Sequence, residues 1–312
     1  MSAGLPASYR DLMSDALLKE TDPHSSSAEL RHPGLAQVKA IVAFASAKGG
    51  TGKSTLVASI AAALALKSRK IGIADADLDA PSAAAMLGLP RVRMMSASGG
   101  VEAANGPFGI RIVANDPSVN LPPINFAAED NTWENGVGQG EAGEFTSLDD
   151  LLSRARFGAL DLLLVDLAPG FSNAVRLSQS VGRAGVVMVL PASGSAIGAV
   201  RRALEEARRK QVRIIGLIEN MQGFYCGNCH SIRPLLPRLD VGALARDFSL
   251  PILGRVPFDS RLAESCDNGH LFIREYPDTP VAKLIKEAAA AVMAAASAAP
   301  PAAEVSLADP DY

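Results

Sequence analysis

Cysteine, aromatic residues and net charge are all scarce in this chain, and each shortage removes a class of function. Three cysteines in 312 residues are too few, and too odd in number, for a secreted disulfide scaffold. A reducing compartment is expected, with the cytoplasm as the default. Thirty basic residues against 33 acidic ones leave a formal charge of -3, so composition gives no reason to expect a nucleic-acid or membrane partner. The N-terminus scatters Asp11, Asp15, Lys19 and Glu20 among its apolar residues and lacks the apolar core of a signal peptide. The longest apolar stretch, around 288–299, is Ala-rich and too short to span roughly 30 Å of hydrocarbon. No internal repeat is visible.

Core-forming residues are plentiful, at 48% hydrophobic. From Ala40 onward, short β-rich apolar runs alternate with helical stretches, the pattern of βαβ units around a parallel sheet buried on both faces. The expected fold class is α/β, with a three-layer α/β/α arrangement around a mostly parallel twisted sheet. Expected strands are 40–46, 70–74, 110–114, 160–166, 184–190, 212–218 and 252–256, with helices at 54–66 and after Thr279. Residues 1–38 read as a flexible tail with one short helix near 8–18, residues 39–298 as the α/β domain that carries every motif described below, and 299–312 as a disordered acidic tail. Gly, Pro and Asn recur between Arg91 and Gly143, predicting long loops over the sheet edge, with 136–143 unstructured. Arg201, Arg202, Arg208, Arg209 and Lys210 are read as a solvated basic helix face, interrupted by Glu205 and Glu206.

The sharpest signal is Lys48-Gly49-Gly50-Thr51-Gly52-Lys53-Ser54-Thr55, after a strand and opening a helix. Glycines at 49, 50 and 52 let main-chain N–H groups turn toward an anion. Lys53 supplies positive charge for terminal phosphates, Ser54 a hydroxyl for Mg2+, and Thr55 a hydrogen bond to an inner phosphate. ATP is the expected nucleotide. The run Asp75-Ala76-Asp77-Leu78-Asp79 follows the second strand, where carboxylates project beside the phosphate loop. Asp77 is the candidate for hydrolysis. Asp166 ends the run Leu162-Leu163-Leu164-Val165 and fits a carboxylate that holds Mg2+ through its water shell.

Cys226 and Cys229 lie two residues apart in a loop beyond a strand. Alone, the spacing is open between a metal site, a redox dithiol and no function. A zinc ion or a [4Fe-4S] cluster takes about four ligands, and the sequence holds no second Cys-x-x-Cys, although His230 is adjacent. Two copies of the chain would complete a four-thiolate set, which predicts a symmetric homodimer. Cys266 is expected to be a buried structural thiol.

Together these segments resemble the Mrp/ApbC (Nbp-type) family of iron-sulfur carrier P-loop ATPases, within the MinD/ParA deviant Walker A superfamily. The matching segments run from Ser46 to Thr55, then Asp75-Ala76-Asp77 with Pro81-Ser82, Asp166 with Pro169-Gly170, and Glu219-Asn220-Met221 ahead of Cys226 and Cys229. Pro251 to Pro257 and Arg261 to Gly269 complete the match. The resemblance implies a homodimer that carries a [4Fe-4S] cluster on Cys226 and Cys229 to apo iron-sulfur client proteins, with ATP binding and slow hydrolysis. It also implies that Lys48 reaches across the dimer and that Asn220 lies near the adenine. One departure stands out. The family's Asp-x-Pro-Pro-Gly-Thr-Gly-Asp is Asp166-Leu167-Ala168-Pro169-Gly170-Phe171-Ser172-Asn173 here, without one proline and the final carboxylate. Rival readings are a ParA/MinD-like positioning ATPase without a cluster and a nucleotide-gated scaffold with structural zinc.

Overall fold

A computed structural model describes residues 32–89, 95–97, 100–115, 145–191, 196–234 and 240–298. In chain order the strands are β1 Ile41–Ala45, β2 Ile71–Ala76, β3 Met95–Ala97, β4 Gly100–Glu102, β5 Ala104–Asn105, β6 Arg111–Ala114, β7 Ala155–Arg156, β8 Leu162–Leu167, β9 Gly185–Pro191, β10 Ile214–Tyr225, β11 Ile232–Arg233 and β12 Ile252–Phe258. The helices are α1 Lys53–Ala65, α2 Ala83–Met86, α3 Leu148–Arg154, α4 Ser172–Ser180, α5 Ile197–Arg209, α6 Val241–Asp247, α7 Ser260–Asp267, α8 Phe272–Glu275 and α9 Pro280–Ser297.

The main sheet runs β11-β10-β9-β1-β8-β2-β6-β5, with β12 also on β10. Its pairings are parallel except where β5 meets β6 and β11 meets β10. Every residue of β1, β2 and β8 is buried, which a sheet achieves only when helices cover both faces. This is the α/β class expected from the alternating runs. Helices α1 and α9 pack on each other, α1 also on β1, β2 and β8 and α9 on β10 and β12. Helix α9 starts at Thr279, whose hydroxyl accepts the Ala282 N–H at 3.2 Å, and buries Val281, Ile285, Ala288 and Val292. β3, β4 and β7 form a small separate sheet.

The order places a topological switch point beside β1, because the chain leaves β1 and returns in β2 on the far side of β8. Register then fixes the chemistry. Asp166 of β8 lies opposite Phe44 at the end of β1 and opposite Asp75 at the end of β2. The carboxyl ends of three strands therefore converge where the phosphate loop begins.

Three expectations need correction. Residues 32–38, read as part of a tail, are built into the fold. Leu35 and Val38 are buried, His32 Nε2 lies 2.7 Å from Ser180 Oγ, and Arg183 donates to the Val38 and Leu35 carbonyls at 2.7 and 2.6 Å. Two isolated apolar residues among Pro33 and Gly34 carry too little periodicity to announce this. Second, β10 runs to Tyr225 rather than ending near 218, because backbone pairing with β12 and β11 carries it past polar Glu219, Asn220 and Gln222. Third, part of the segment read as loops forms β4, β5 and the backbone of β3, pairing short stretches that lack alternation. The basic face of α5 is solvated as expected: Arg202, Arg208, Arg209 and Lys210 are exposed, and Arg201 pairs with Asp247 at 2.5 Å at the surface, where the Arg201 and Arg208 guanidinium groups both lie 5.7 Å from the Phe248 ring centre. The expected helix near 8–18, the 136–143 segment and the 299–312 tail fall outside the described residues. Among the described residues no helix is long and apolar enough to cross a membrane.

Candidate functional site

The phosphate loop connects β1 to α1. Gly50 and Gly52 both stand at φ +73°, in the left-handed region that suits glycine, and Gly52 caps α1. The backbone thus presents the first amides of a 13-residue helix at the end of the central strand, where an anion is favoured. Two contacts hold the loop from outside. Gly170 N–H donates to the Ser46 carbonyl at 2.9 Å, and Asn220 Nδ2 donates to the Thr51 carbonyl at 2.8 Å. The second contact is tight, since a Cβ on Gly52 would lie 2.4 Å from Asn220 Nδ2. Asn220, expected near a nucleotide base, therefore braces the loop itself. Lys48 is exposed, with its carbonyl taken by the Ser46 hydroxyl at 2.9 Å.

Lys53 and Asp166 form a buried ion pair through Nζ and Oδ1, with 5% and 0% of their side chains exposed. The other oxygen, Oδ2, is buried and has no hydrogen-bond partner among the described residues. A buried carboxylate oxygen left so is costly, and a hydrated cation would satisfy it. Ser54, half-buried in the first turn of α1, adds a hydroxyl. An all-oxygen set of this kind fits Mg2+.

The three carboxylates after β2 divide sharply. Asp77 is half-buried, and burial raises its pKa while the Lys53 charge opposes the rise. Asp79 is exposed and lines a cavity of about 520 Å³ with Asn115, Ser147, Asn173 and Arg176. Asp75 is fully buried, and burial followed by repulsion from Asp166 pushes its pKa up to about 7. Asp77 and Asp166 thus join the phosphate loop around Lys53, together with Asp75.

The thiols do not join them. β10 passes the phosphate loop at Asn220 and continues to Tyr225, so an extended chain puts Cys226 at most roughly 20 Å further on. Cys226 and Cys229 sit in the turn of the β10–β11 hairpin, closed by Cys226 N–H to the Ser231 carbonyl at 3.0 Å and His230 N–H to the Cys226 carbonyl at 2.9 Å. Cys226 is half-buried and Cys229 exposed. Hydrogen bonds from Ser231, side chain first and then backbone, and from Cys226 lower the Cys229 pKa to about 7, with the Arg233 charge adding to the effect. Beneath the turn, Tyr225 Oη and His230 Nδ1 are 2.9 Å apart, and the Arg261 guanidinium lies 5.3 Å from the Tyr225 ring centre. Sequence reasoning missed Ser231, Arg233, Tyr225 and Arg261. Ser231 and Arg233 could have been noticed beside the cysteines; Arg261 opens a segment that matches the family, but nothing there points to the hairpin. Cys266 is buried and its pKa is pushed up to about 11 by burial, as expected of a structural thiol. Among the described residues no three His, Cys, Asp or Glu side chains gather as a metal site, and the hairpin of one chain carries two cysteines.

Comparison with known proteins identifies the family. Residues 37–293 match the family model described as ParA: NUBPL iron-transfer P-loop NTPase. The iron-sulfur cluster carrier protein of Pseudomonas fragi is 31% identical over 86% of this chain and 89% of its own. The cytosolic Fe-S cluster assembly factor NUBP2 of Bos taurus is 34% identical over 82% of this chain and 92% of its own. A nucleotide-binding protein from Archaeoglobus fulgidus, solved in complex with ADP, superposes with a TM-score of 0.60 at 26% identity, covering 78% of this chain and 92% of that one. The chain belongs to the ParA family of NUBPL-type iron-transfer P-loop NTPases.

Proposed function

We propose that the protein is an ATP-dependent iron-sulfur cluster carrier: two copies share a [4Fe-4S] cluster on Cys226 and Cys229 and pass it to apoproteins, with slow ATP hydrolysis. One observation carries the reading. A phosphate cradle with a buried Lys53–Asp166 pair and a solvent-facing hairpin with two thiols lie on the same chain, and that hairpin has too few ligands for a four-thiolate centre. The names of the bacterial and bovine relatives, one of them cytosolic, supply the cargo and the compartment.

In this reading Gly49, Gly50, Thr51, Gly52, Lys53, Ser54 and Thr55 hold the phosphates. Ser54 and Asp166 hold Mg2+, which would neutralise charge on the phosphates. Asp77 faces the terminal phosphate, and exposed Lys48 reaches toward the second copy. Asn220, which braces the loop through the Thr51 carbonyl, is the residue that the family resemblance assigns to the adenine. With Asn173 where the family has a carboxylate, this reading assigns hydrolysis to Asp77, which feels the Lys53 charge. The cluster is cargo, and the low pKa of Cys229 keeps one ligand ready as thiolate.

Anaerobic reconstitution with iron and sulfide tests the cargo. About four iron and four sulfide per two chains, with a visible cluster absorption lost in both Cys226→Ser and Cys229→Ser, is the expected result. Uptake of zinc alone, or iron unaffected by the two substitutions, would replace the carrier with a zinc scaffold or a cluster-free positioning ATPase.

A further inference from the structure

Asp75 is a buried acid that phosphate and Mg2+ binding leave without a task. It ends β2 opposite Asp166, a second buried acid, and burial and that neighbour both disfavour its ionised form. A hydrophobic residue of similar size would spare the fold this cost. What offsets it is a set of three main-chain amides. Asp77 N–H donates to Oδ1 at 3.3 Å, and the Ser82 and Ala83 N–H groups donate to Oδ2 at 2.8 and 2.9 Å. Those amides stand at the two ends of one loop, 77–82, so a single side chain closes it like a staple.

The loop is the one that carries Asp77. Within it, Ala80 N–H donates to the Asp77 carbonyl at 3.1 Å, and Asn115 Nδ2 donates to the Leu78 carbonyl at 3.2 Å. Its far end opens α2, a four-residue helix too short to anchor itself. Asp77 in turn feels the charge of Lys53, which lies against Asp166. The position of Asp77 relative to the phosphate loop therefore depends on where the 77–82 loop is pinned.

We propose that Asp75 is a positioning residue for ATP hydrolysis: its carboxylate clamps both ends of the 77–82 loop and so aims Asp77 at the terminal phosphate held by Lys53. The inference rests on the nucleotide half of the reading above and is independent of the cluster. Its consequence is a split between binding and turnover. The cradle amides and Lys53 hold the nucleotide without Asp75, whereas hydrolysis needs Asp77 in place.

The test compares wild type with Asp75→Asn, which keeps one acceptor oxygen, and Asp75→Leu, which keeps none. Affinity for a fluorescent ADP, kcat and KM for ATP, and the thermal midpoint are measured on the full chain. The expected result is at least a tenfold fall in kcat for Asp75→Leu and a smaller one for Asp75→Asn, with ADP affinity within threefold of wild type. A smaller fall in Asp75→Leu, or affinity lost in step with kcat, overturns the clamp. Amide exchange in the wild type gives an arm that needs no variant to fold: Asp77, Ser82 and Ala83 should be protected at least a hundredfold, and unprotected amides there overturn the proposal. Wild-type protein that takes up no Mg-nucleotide would instead sink the nucleotide reading, while the exchange arm still reports on the clamp.

Discussion

At the scale of single residues, the three cysteines illustrate how surroundings divide one chemistry. Cys266 is sealed in the core and its thiol is held protonated, with a pKa of about 11. Cys229 points outward, where hydrogen bonds from Ser231 and Cys226 and the nearby Arg233 bring its pKa from 9.0 down to about 7. A thiol at that value is half thiolate at pH 7, against roughly one part in a hundred for an unperturbed one, about a fiftyfold difference in the reactive form. Iodoacetamide labelling followed by mass spectrometry should therefore show Cys229 modification rising with a midpoint near pH 7, with Cys266 unmodified in the folded protein. Ser231→Ala removes the largest cause and should move the midpoint up toward 9. A wild-type midpoint already near 9 would remove the argument that one cluster ligand stands ready ionised.

At the scale of elements, β1, α1 and β10 make the nucleotide site one packed unit. Gly52 is constrained twice, by its φ of +73° and by Asn220 Nδ2, which a Cβ would meet at 2.4 Å. Alanine there has to displace Asn220 from the Thr51 carbonyl as well as adopt a disfavoured backbone. Gly52→Ala is expected to weaken ADP affinity at least tenfold while circular dichroism stays that of the wild type, and an unchanged affinity measured by fluorescence titration would show that the glycine is dispensable. The same region shows what a sequence can and cannot disclose. The phosphate loop was readable because its signals are local: a strand, three glycines, Lys53-Ser54 and a helix follow one another within 25 residues. The central strands were readable because burial on both faces demands unbroken apolar runs. The brace from Asn220 spans 169 positions, and the Asp75 staple depends on which way two loop ends face, so neither leaves a pattern in composition or period. The tip of β10 was hidden for the opposite reason, since main-chain pairing alone carries polar residues through it.

At the scale of the whole molecule, ligand number decides what one chain can do alone. A cluster of four irons takes about four protein ligands, and the hairpin presents two cysteines, with no group of three His, Cys, Asp or Glu side chains placed to hold a metal among the described residues. Ile232, next to the thiols in β11, is 45% exposed, so the hairpin also offers apolar surface at the place where two copies would have to meet. If each cluster is held by two chains, loading and association are the same equilibrium, and mass action couples them. The loaded protein should run at twice the mass of one chain by light scattering. On anaerobic dilution, the loss of cluster absorption should track the appearance of single chains. Apo protein carrying Cys226→Ser, at equal concentration without nucleotide, should show no iron-dependent gain in mass. A cluster whose absorption survives dilution into single chains would mean that all its ligands come from one copy, and the shared site would have to be abandoned even if every iron were accounted for.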